Sequence, residues 1–134
     1  MTWIILAVLA LLWAVPVLAG SAEDQAAASA KTWLTLIDAR NYTQAYKSAA
    51  DIFHQGISEA RWEKMVESGR GEVGAPKSRE FQAAELTKTL PGMPDGDYAN
   101  VAFQTEFETK GPSTEIVTLV RENGKWKVGG YHIN

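Results

Sequence analysis

Two hydrophobic periodicities divide this chain, and their order along the sequence constrains the fold more than any other feature. From about residue 23 to residue 69, apolar side chains recur at steps of three and four, the spacing of one helix face. From about residue 79 to residue 133 the pattern changes to alternation, the spacing of one strand face. A run of helices followed by a run of strands is typical of an α+β domain. We therefore expect N-terminal helices packed on a curved, four-stranded antiparallel sheet.

Three helices are predicted in the first half of the chain. The first covers about residues 23–39, where its apolar stripe lies. Asn41 is a residue type that caps helix N-termini, so a second helix should run from there to Gly56. Ser58 should cap a third helix in the same way, and Gly69 should end it.

Four strands are predicted in the second half, over residues 79–88, 98–107, 114–122 and 125–133. The first strand needs a bulge near Ala83–Ala84 to bring its apolar side chains to one face. Asn123-Gly124 indicates a tight hairpin, because both residue types tolerate the positive φ angles of a type I′ turn. Gly129-Gly130 indicates a second bulge, in the last strand.

The N-terminus has the pattern of a secretory signal. Trp3–Val15 is an unbroken apolar run, shorter than the roughly 20 residues that a membrane-spanning helix needs. Val17-Leu18-Ala19 fits a small-x-small cleavage site. The sequence therefore predicts a signal peptide over residues 1–19, cleaved after Ala19, and one domain over 20–134 in the periplasm or secreted, off the membrane. Cleavage after Ala22 and an uncleaved anchor are the alternatives.

Composition excludes several classes of function. The chain has 13 Lys and Arg against 16 Asp and Glu, a net charge of −3, which argues against nucleic acid as a partner. It has no cysteine, so disulfides, thiolate catalysis and cysteine-ligated metals are excluded.

The two histidines give no metal or cofactor motif. Neither His54 nor His132 lies at a metal-ligand spacing from another ligating residue. Asp51 and His54 are three residues apart on a predicted helix, where a surface pair is a commoner outcome than an acid–base dyad. We therefore expect no metal site and no cofactor.

Four polar residues within the strand half are the candidate ligand-binding residues: Arg79, Tyr98, Glu115 and Tyr131. They can form an internal ion pair with capped tyrosine hydroxyls, or they can line a pocket between sheet and helices. In the second case Trp33 and Trp62 would supply aromatic walls, although core packing is their commoner role. In an up-and-down sheet Arg79 and Glu115 should lie at the same end, about 10 Å apart at Cα, which is twice the strand spacing.

Two motifs resemble a known family. The segment Leu90–Tyr98 reads LPG-x-P-x-GDY, and Trp126–Tyr131 reads W-x-V-x-GY. Together with Arg79, Phe107 and Glu115 they are similar to the domain-of-unknown-function 4019 family of secreted bacterial proteins. The resemblance implies an NTF2-like or cystatin-like fold, and it supplies no reaction and no functional residues.

The sequence is compatible with three functions. The first is a non-catalytic domain that binds a small molecule or another envelope protein. The second is a small cofactor-free enzyme that transfers protons in a pocket between sheet and helices; such an enzyme needs a desolvated base, and Glu115 is the candidate. The third is a structural envelope protein, including a homodimer formed through the outer face of the sheet. Fold analogy does not decide among them.

Overall fold

The computed structural model describes residues 20–134, which form four helices and one four-stranded sheet. The helices are α1 (Ala22–Asp38), α2 (Tyr42–Ser48), α3 (Asp51–Gly56) and α4 (Glu59–Val73). The strands are β1 (Pro76–Thr87), β2 (Tyr98–Phe107), β3 (Gly111–Glu122) and β4 (Lys125–Ile133).

The strands pair in the order β1-β2-β3-β4, and every pair is antiparallel. The predicted α+β class and up-and-down sheet are confirmed. The finer comparison with NTF2-like or cystatin-like folds stays a prediction. The predicted signal peptide over residues 1–19, with its cleavage site at Ala19, lies outside the described residues.

Side-chain caps begin three of the helices. Ser21 accepts a hydrogen bond from the backbone of Asp24 at the start of α1. The two predicted caps behave in the same way: Asn41 begins α2 and Ser58 begins α4, each accepting from a backbone N–H three residues later. These contacts satisfy N–H groups that a helix N-terminus otherwise leaves without a partner.

The second helix was predicted as one element and is two. The chain is extended at Ala49 and Ala50, which separates α2 from α3. The Ala50 N–H donates to the Val128 carbonyl in β4 over 2.7 Å, and the Asp51 N–H donates to the Glu122 carboxylate over 2.8 Å. The sheet thus takes the backbone donors that a continuous helix would have used, so tertiary contact overrides the helical pattern.

Helix α4 also differs from its prediction, because it passes through Gly69 and ends at Val73. The residue that ends it is Gly74, whose φ of 83° lies in the region that glycine tolerates best. A Cβ atom at Gly74 would lie 3.1 Å from the backbone nitrogen of Thr109, so the close approach of two chain segments adds a second requirement for glycine. The extra turn carries Arg70, which is buried.

Both predicted bulges are present. The β1–β2 register shifts between Phe81 and Ala83, and the β3–β4 register passes from Gly130 to Val128 with Gly129 as the extra residue. The hairpin between β3 and β4 has φ angles of 50° at Asn123 and 77° at Gly124, as the type I′ prediction requires.

The core lies between α1 and one face of the sheet. Trp33 is 3% exposed, and its indole N–H donates to the Ala45 carbonyl, while Trp62 on α4 is 6% exposed. Both tryptophans therefore belong to the core. Among the helices of residues 20–134, none has the length and apolar content needed to span a bilayer. The other large core side chains are Leu34, Ile37, Val101, Phe103, Val117 and Leu119.

Candidate functional site

Arg79 and Glu115 form a direct ion pair across the sheet. Arg79 on β1 pairs with Thr105 on β2, and Thr105 pairs with Ser113 on β3, two residues before Glu115. Side chains two residues apart share a strand face, so all of these groups point to the helix-covered side. The Arg79 Nε and Nη2 atoms donate to the two Glu115 oxygens over 2.7 and 3.3 Å. The expected placement at one end of the sheet is confirmed.

Glu115 is completely buried and fully hydrogen-bonded. Besides the two bonds from Arg79, it accepts one from the Thr105 hydroxyl over 2.5 Å and one from the Tyr131 hydroxyl. A carboxylate offers about four lone-pair positions, and four donors occupy them here. Glu115 therefore has no acceptor position left with which to take a proton from a substrate.

Tyr131 is held in its protonated, donating form. Burial, and then the charge of the Glu115 carboxylate beside its hydroxyl, raise the pKa of Tyr131 far above its ordinary value. The ring packs edge-on against Trp33, with centroids 5.4 Å apart. Tyr131 thus has its ring in the aromatic core and its hydroxyl capped by Glu115, as the structural interpretation of this residue predicts.

Asp38 is a member of the cluster that the sequence did not single out. As the last residue of α1, it accepts from Arg79 over 2.7 and 3.1 Å and from Arg70 over 3.0 Å. Burial by itself would raise the pKa of Asp38, but the hydrogen bonds and charges of Arg79 and Arg70 hold it below its usual range. One signal was available: a carboxylate at a helix C-terminus is opposed by the helix dipole, so it calls for a cationic partner.

Arg70 completes the cluster, which we call the ion cluster: Asp38, Arg70, Arg79 and Glu115. The Arg70 side chain is 9% exposed, and its guanidinium lies 5.4 Å from the centre of the Phe107 ring. Its Nη2 atom binds Asp38, but its Nε and Nη1 atoms have no acceptor among residues 20–134. Buried polar groups almost always have partners, so these two nitrogens need an explanation.

The charges of the ion cluster balance formally, two guanidinium groups against two carboxylates. Burial alone would lower the pKa of Arg79, but the hydrogen bonds from its guanidinium to Asp38 and Glu115 raise it above its ordinary value. An ion network of this kind fixes where α1, α4, β1 and β3 meet.

Tyr98 is the one predicted site residue that lies elsewhere. It pairs with Thr87 and Val120, at the opposite end of the sheet, and it is 3% exposed. Its hydroxyl donates to the Pro94 carbonyl over 2.5 Å, within the turn that contains the first sequence motif. Tyr98 closes that turn on the sheet, and it also borders a cavity of about 330 Å³ beside Trp126.

A larger groove of about 680 Å³ lies between helices α3 and α4 and the edge strand β4, and we call it the α4–β4 groove. Tyr131 and Trp62 belong to its wall, so one of the four predicted residues and one of the two predicted aromatic walls line it. Its other lining residues include Phe53, Ile57, Met65, Val66, Gly69, Arg70, Glu72, Val73, Lys110, His132 and Ile133.

The histidines stand apart from the ion cluster. The Nε2 atom of His54 lies 2.5 Å from the Tyr46 carbonyl, and its ring packs on Tyr46, with centroids 4.7 Å apart. His132 is exposed at the rim of the groove. Within residues 20–134, no group of three or more His, Asp or Glu side chains is arranged to hold a metal ion.

Comparison with known proteins gives a family match. A family model described as "Protein of unknown function (DUF4019)" matches residues 29–131, which include both motifs and all four members of the ion cluster. No curated protein matches the chain.

Proposed function

The chain belongs to the DUF4019 family of proteins of unknown function, and from that premise we propose that it is a non-catalytic binding domain whose α4–β4 groove holds a small molecule. The groove carries the proposal. Its volume of about 680 Å³ falls within the range of about 300–1,000 Å³ that small-molecule sites occupy. Its lining combines aromatic and aliphatic side chains with a few polar groups, which is typical of such sites.

The ion cluster supports this proposal, because it holds two side chains of the groove wall in place. Glu115 orients the Tyr131 hydroxyl, and Asp38 orients Arg70. Both oriented side chains belong to the groove wall. A binding site benefits from side chains that neighbouring groups hold in place before the ligand arrives, because less ordering is needed on binding.

The alternative of an acid–base enzyme receives no support from this geometry. Its candidate base, Glu115, has every acceptor position occupied by Arg79, Thr105 and Tyr131. General base catalysis requires a free acceptor within hydrogen-bond reach of the substrate proton. A binding role needs no such free acceptor on Glu115.

Two glycines of α4 give a matched pair of variants for testing the groove. Gly69 lines the groove and Gly71 does not, and a Cβ atom at either position would have nothing within 4 Å. Leucine at either position should stabilise the helix by about 0.5–1 kcal/mol relative to glycine. Gly69→Leu places a side chain at the groove, whereas Gly71→Leu changes the helix equally and leaves the groove open.

The test is mass spectrometry of small molecules retained by the purified protein, under native conditions and after denaturation. We expect one retained compound class in the wild type and in Gly71→Leu, and its loss in Gly69→Leu. Equal retention by both leucine variants, or no retained compound in any of the three proteins, would contradict a binding role for this groove.

We further propose that the domain acts outside the cytoplasm, in the periplasm or as a secreted protein. The apolar run Trp3–Val15 and the Val17-Leu18-Ala19 site support export with cleavage. Intact-mass measurement on protein expressed with its own N-terminus should show residues 1–19 missing. A full-length mass in the membrane fraction would instead favour the uncleaved anchor.

A further inference from the structure

We propose that the small molecule held in the α4–β4 groove is a short peptide, which binds as an extended strand against the open edge of β4. This inference rests on the proposed function and adds the chemical class of the ligand. It starts from the backbone of β4, because an edge strand carries N–H and C=O groups that no neighbouring strand uses. β4 is an edge of the sheet, and its last four residues line the groove.

The register of the sheet shows which backbone groups of β4 point outward. Asn134 and Thr114 exchange both backbone hydrogen bonds, so they form a hydrogen-bonded pair of the antiparallel ladder. Hydrogen-bonded and non-hydrogen-bonded pairs alternate along such a ladder, so the pairs that contain Tyr131 and Ile133 are of the second kind. The N–H and C=O groups of these two residues therefore point away from β3, and no backbone group of another segment within residues 20–134 bonds to them.

The protein itself places an extended segment on the other half of this edge. Beyond the Gly129 bulge the Val128 carbonyl also points outward, since it accepts the 2.7 Å hydrogen bond from the Ala50 N–H. Ala49 and Ala50 are both extended there. The edge is thus occupied at Val128 by backbone in a strand-like conformation and is open beyond it. A second extended chain would continue this pairing, and Ala50 limits its length at that end.

Helix α4 leaves room for such a chain. Its backbone comes close to α2 and scarcely approaches β4, so the groove separates the helix from the strand edge. From Trp62 to Val73 the helix wall is about 16 Å long, at about 1.5 Å per residue. An extended chain rises about 3.3 Å per residue, so about five residues fit along this wall.

The helix wall specifies the side chains of the peptide. In an antiparallel pair, the pairing that every strand of this sheet uses, residues opposite each other point to the same face. The peptide residues opposite Tyr131 and Ile133 are two residues apart, and both point toward the helices. That side of the groove is lined by apolar side chains of α3, α4 and the turn between them: Phe53, Ile57, Trp62, Met65, Val66 and Val73. We therefore expect apolar side chains at two alternate positions of the peptide.

The side chains of the wall leave the hydrogen bonding to the backbone. The Tyr131 hydroxyl already donates to Glu115, and Arg70 belongs to the ion cluster, which is formally neutral. Lys110 and Glu72 are exposed at the rim and carry opposite charges. The groove therefore suits an extended backbone with uncharged, apolar side chains.

The experiment uses the blocked pentapeptide acetyl-Thr-Leu-Thr-Leu-Thr-amide, and its control carries an N-methyl group on each leucine. The methyl groups remove the two donors that would pair with Tyr131 and Ile133, and they leave the side chains unchanged. Affinities are measured by titration calorimetry at pH 7. We expect the unmodified peptide to bind wild type and Gly71→Leu at least about tenfold more tightly than the N-methyl peptide, the difference expected for two hydrogen bonds. Gly69→Leu should bind neither peptide.

Hydrogen exchange of individual amides identifies the strand edge. In ¹⁵N-labelled wild type, the amides of Tyr131 and Ile133 should exchange at least about tenfold more slowly when the unmodified peptide is bound. The His132 amide belongs to the hydrogen-bonded pair with Ile116 in β3, so the peptide should change its exchange much less. This alternation distinguishes strand pairing from simple burial of the segment.

A pair of variants at Ile133 tests the same edge. Ile133→Pro removes one outward N–H and no bond to β3, and Ile133→Ala is its matched control, because it shortens the side chain and keeps the N–H. Ile133→Pro should bind the unmodified peptide at least about fivefold more weakly than Ile133→Ala, since one hydrogen bond is lost. If Ile133→Pro does not fold, the N-methyl peptide and the amide exchange of wild type decide.

The outcomes separate the two proposals. Equal affinities for the two peptides, or unchanged exchange at Tyr131 and Ile133 with peptide bound, would overturn the strand pairing and leave the groove as a binding site. A retained compound that is not a peptide would do the same, and so would failure of the unmodified peptide to bind wild type at millimolar concentration. Equal peptide binding by Gly69→Leu and Gly71→Leu would place the peptide outside the groove and overturn the assignment. If neither peptide binds and both leucine variants also retain the same compounds, the groove itself is overturned as a binding site.

Discussion

Replacing Arg79 with methionine tests whether the ion cluster holds the domain together. Arg79→Met keeps an unbranched apolar stem and removes the guanidinium. The Glu115 carboxylate, which is 0% exposed, then loses donors at 2.7 and 3.3 Å and keeps only the hydroxyls of Thr105 and Tyr131. The variant therefore leaves a buried charge without its cationic partner.

The size of the effect follows from where the lost bonds lie. Removing one partner of a buried ion pair destabilises a protein by about 3–5 kcal/mol. The Arg79 side chain is 17% exposed, so solvent reaches part of the gap, and the lower half of that range applies. The bonds to Asp38 contribute less, because this side chain is 30% exposed and keeps Arg70. We expect the free energy of unfolding to fall by about 3–4 kcal/mol.

Urea denaturation at pH 7 measures this change, with the fluorescence of the buried Trp33 and Trp62 as the signal. The midpoint should fall while the slope with denaturant stays constant, since a changed slope would report a different unfolded or folded state. Arg61→Met is the matched control, because Arg61 lies exposed on α4 and its loss should change stability by less than about 0.5 kcal/mol.

A double-mutant cycle assigns the loss to the pair. Arg79→Met and Glu115→Gln should show a coupling of at least about 1 kcal/mol, because each single variant removes the same contact. If Arg79→Met matches Arg61→Met and the coupling is near zero, the view that this cluster fixes the fold is refuted. Backbone pairing and apolar packing would then be enough to hold the strands together.

Three further effects follow from the same geometry. Tyr131→Phe should lower the free energy of unfolding by about 1–3 kcal/mol, because buried Glu115 loses a hydrogen-bond donor. The pKa of Tyr131 is raised in the folded state, so wild-type stability should decline as pH rises above about 10, where tyrosine ionises in the unfolded chain. This decline should be weaker in Tyr131→Phe. Asp38→Asn should weaken the loss of stability in acid, because the lowered pKa of Asp38 stabilises the fold above about pH 4 and that contribution disappears as pH falls through the folded pKa. Gly74→Ala should destabilise the protein by about 1–3 kcal/mol, because φ is 83° there and the added Cβ would lie 3.1 Å from a backbone atom. Gly130→Ala is the control: its Cβ would lie 3.8 Å from the nearest atom, so stability should change by less than about 0.5 kcal/mol. Urea midpoints measure both effects.

The strand half of the fold could be predicted because its signals are local. Alternation fixed the buried face of β2, and Asn123-Gly124 marked the hairpin that joins β3 to β4. The Gly129 bulge could be inferred from a change of parity within a single strand. Each of these features depends on residues that are neighbours in the sequence or directly across a turn.

The helix half was harder, since contacts with the sheet decide where its elements end. Nothing at Ala49-Ala50 resembles a helix stop, and the break depends on the Val128 carbonyl and on Glu122, both far away in sequence. Gly69 resembled a stop and is not one, because the backbone constraint lies at Gly74. Helical propensity is a weak prior that tertiary contact overrides at both places.

The site residues fall into the same two groups: those that local strand patterns reveal, and those that contacts between helices and sheet decide. Arg79, Glu115 and Tyr131 could be proposed because polar residues in predicted strands stand out, and the register of the sheet then brings them together. Asp38 and Arg70 were not proposed, because charged residues are ordinary on helix surfaces. Their burial depends on how α1 and α4 meet the sheet, which the pattern of one helix does not specify.

Tyr131 connects the ion cluster to the α4–β4 groove. Its hydroxyl donates to Glu115, its ring packs on Trp33, and the residue also lines the groove. Arg70 is a second link, since Asp38 holds one of its nitrogens while the side chain lines the same groove. A charge network inside a small core is expensive to bury, and apolar packing would serve stability equally well. The network has a second consequence besides stability: it holds the Tyr131 ring and the Arg70 side chain in fixed positions in the groove wall.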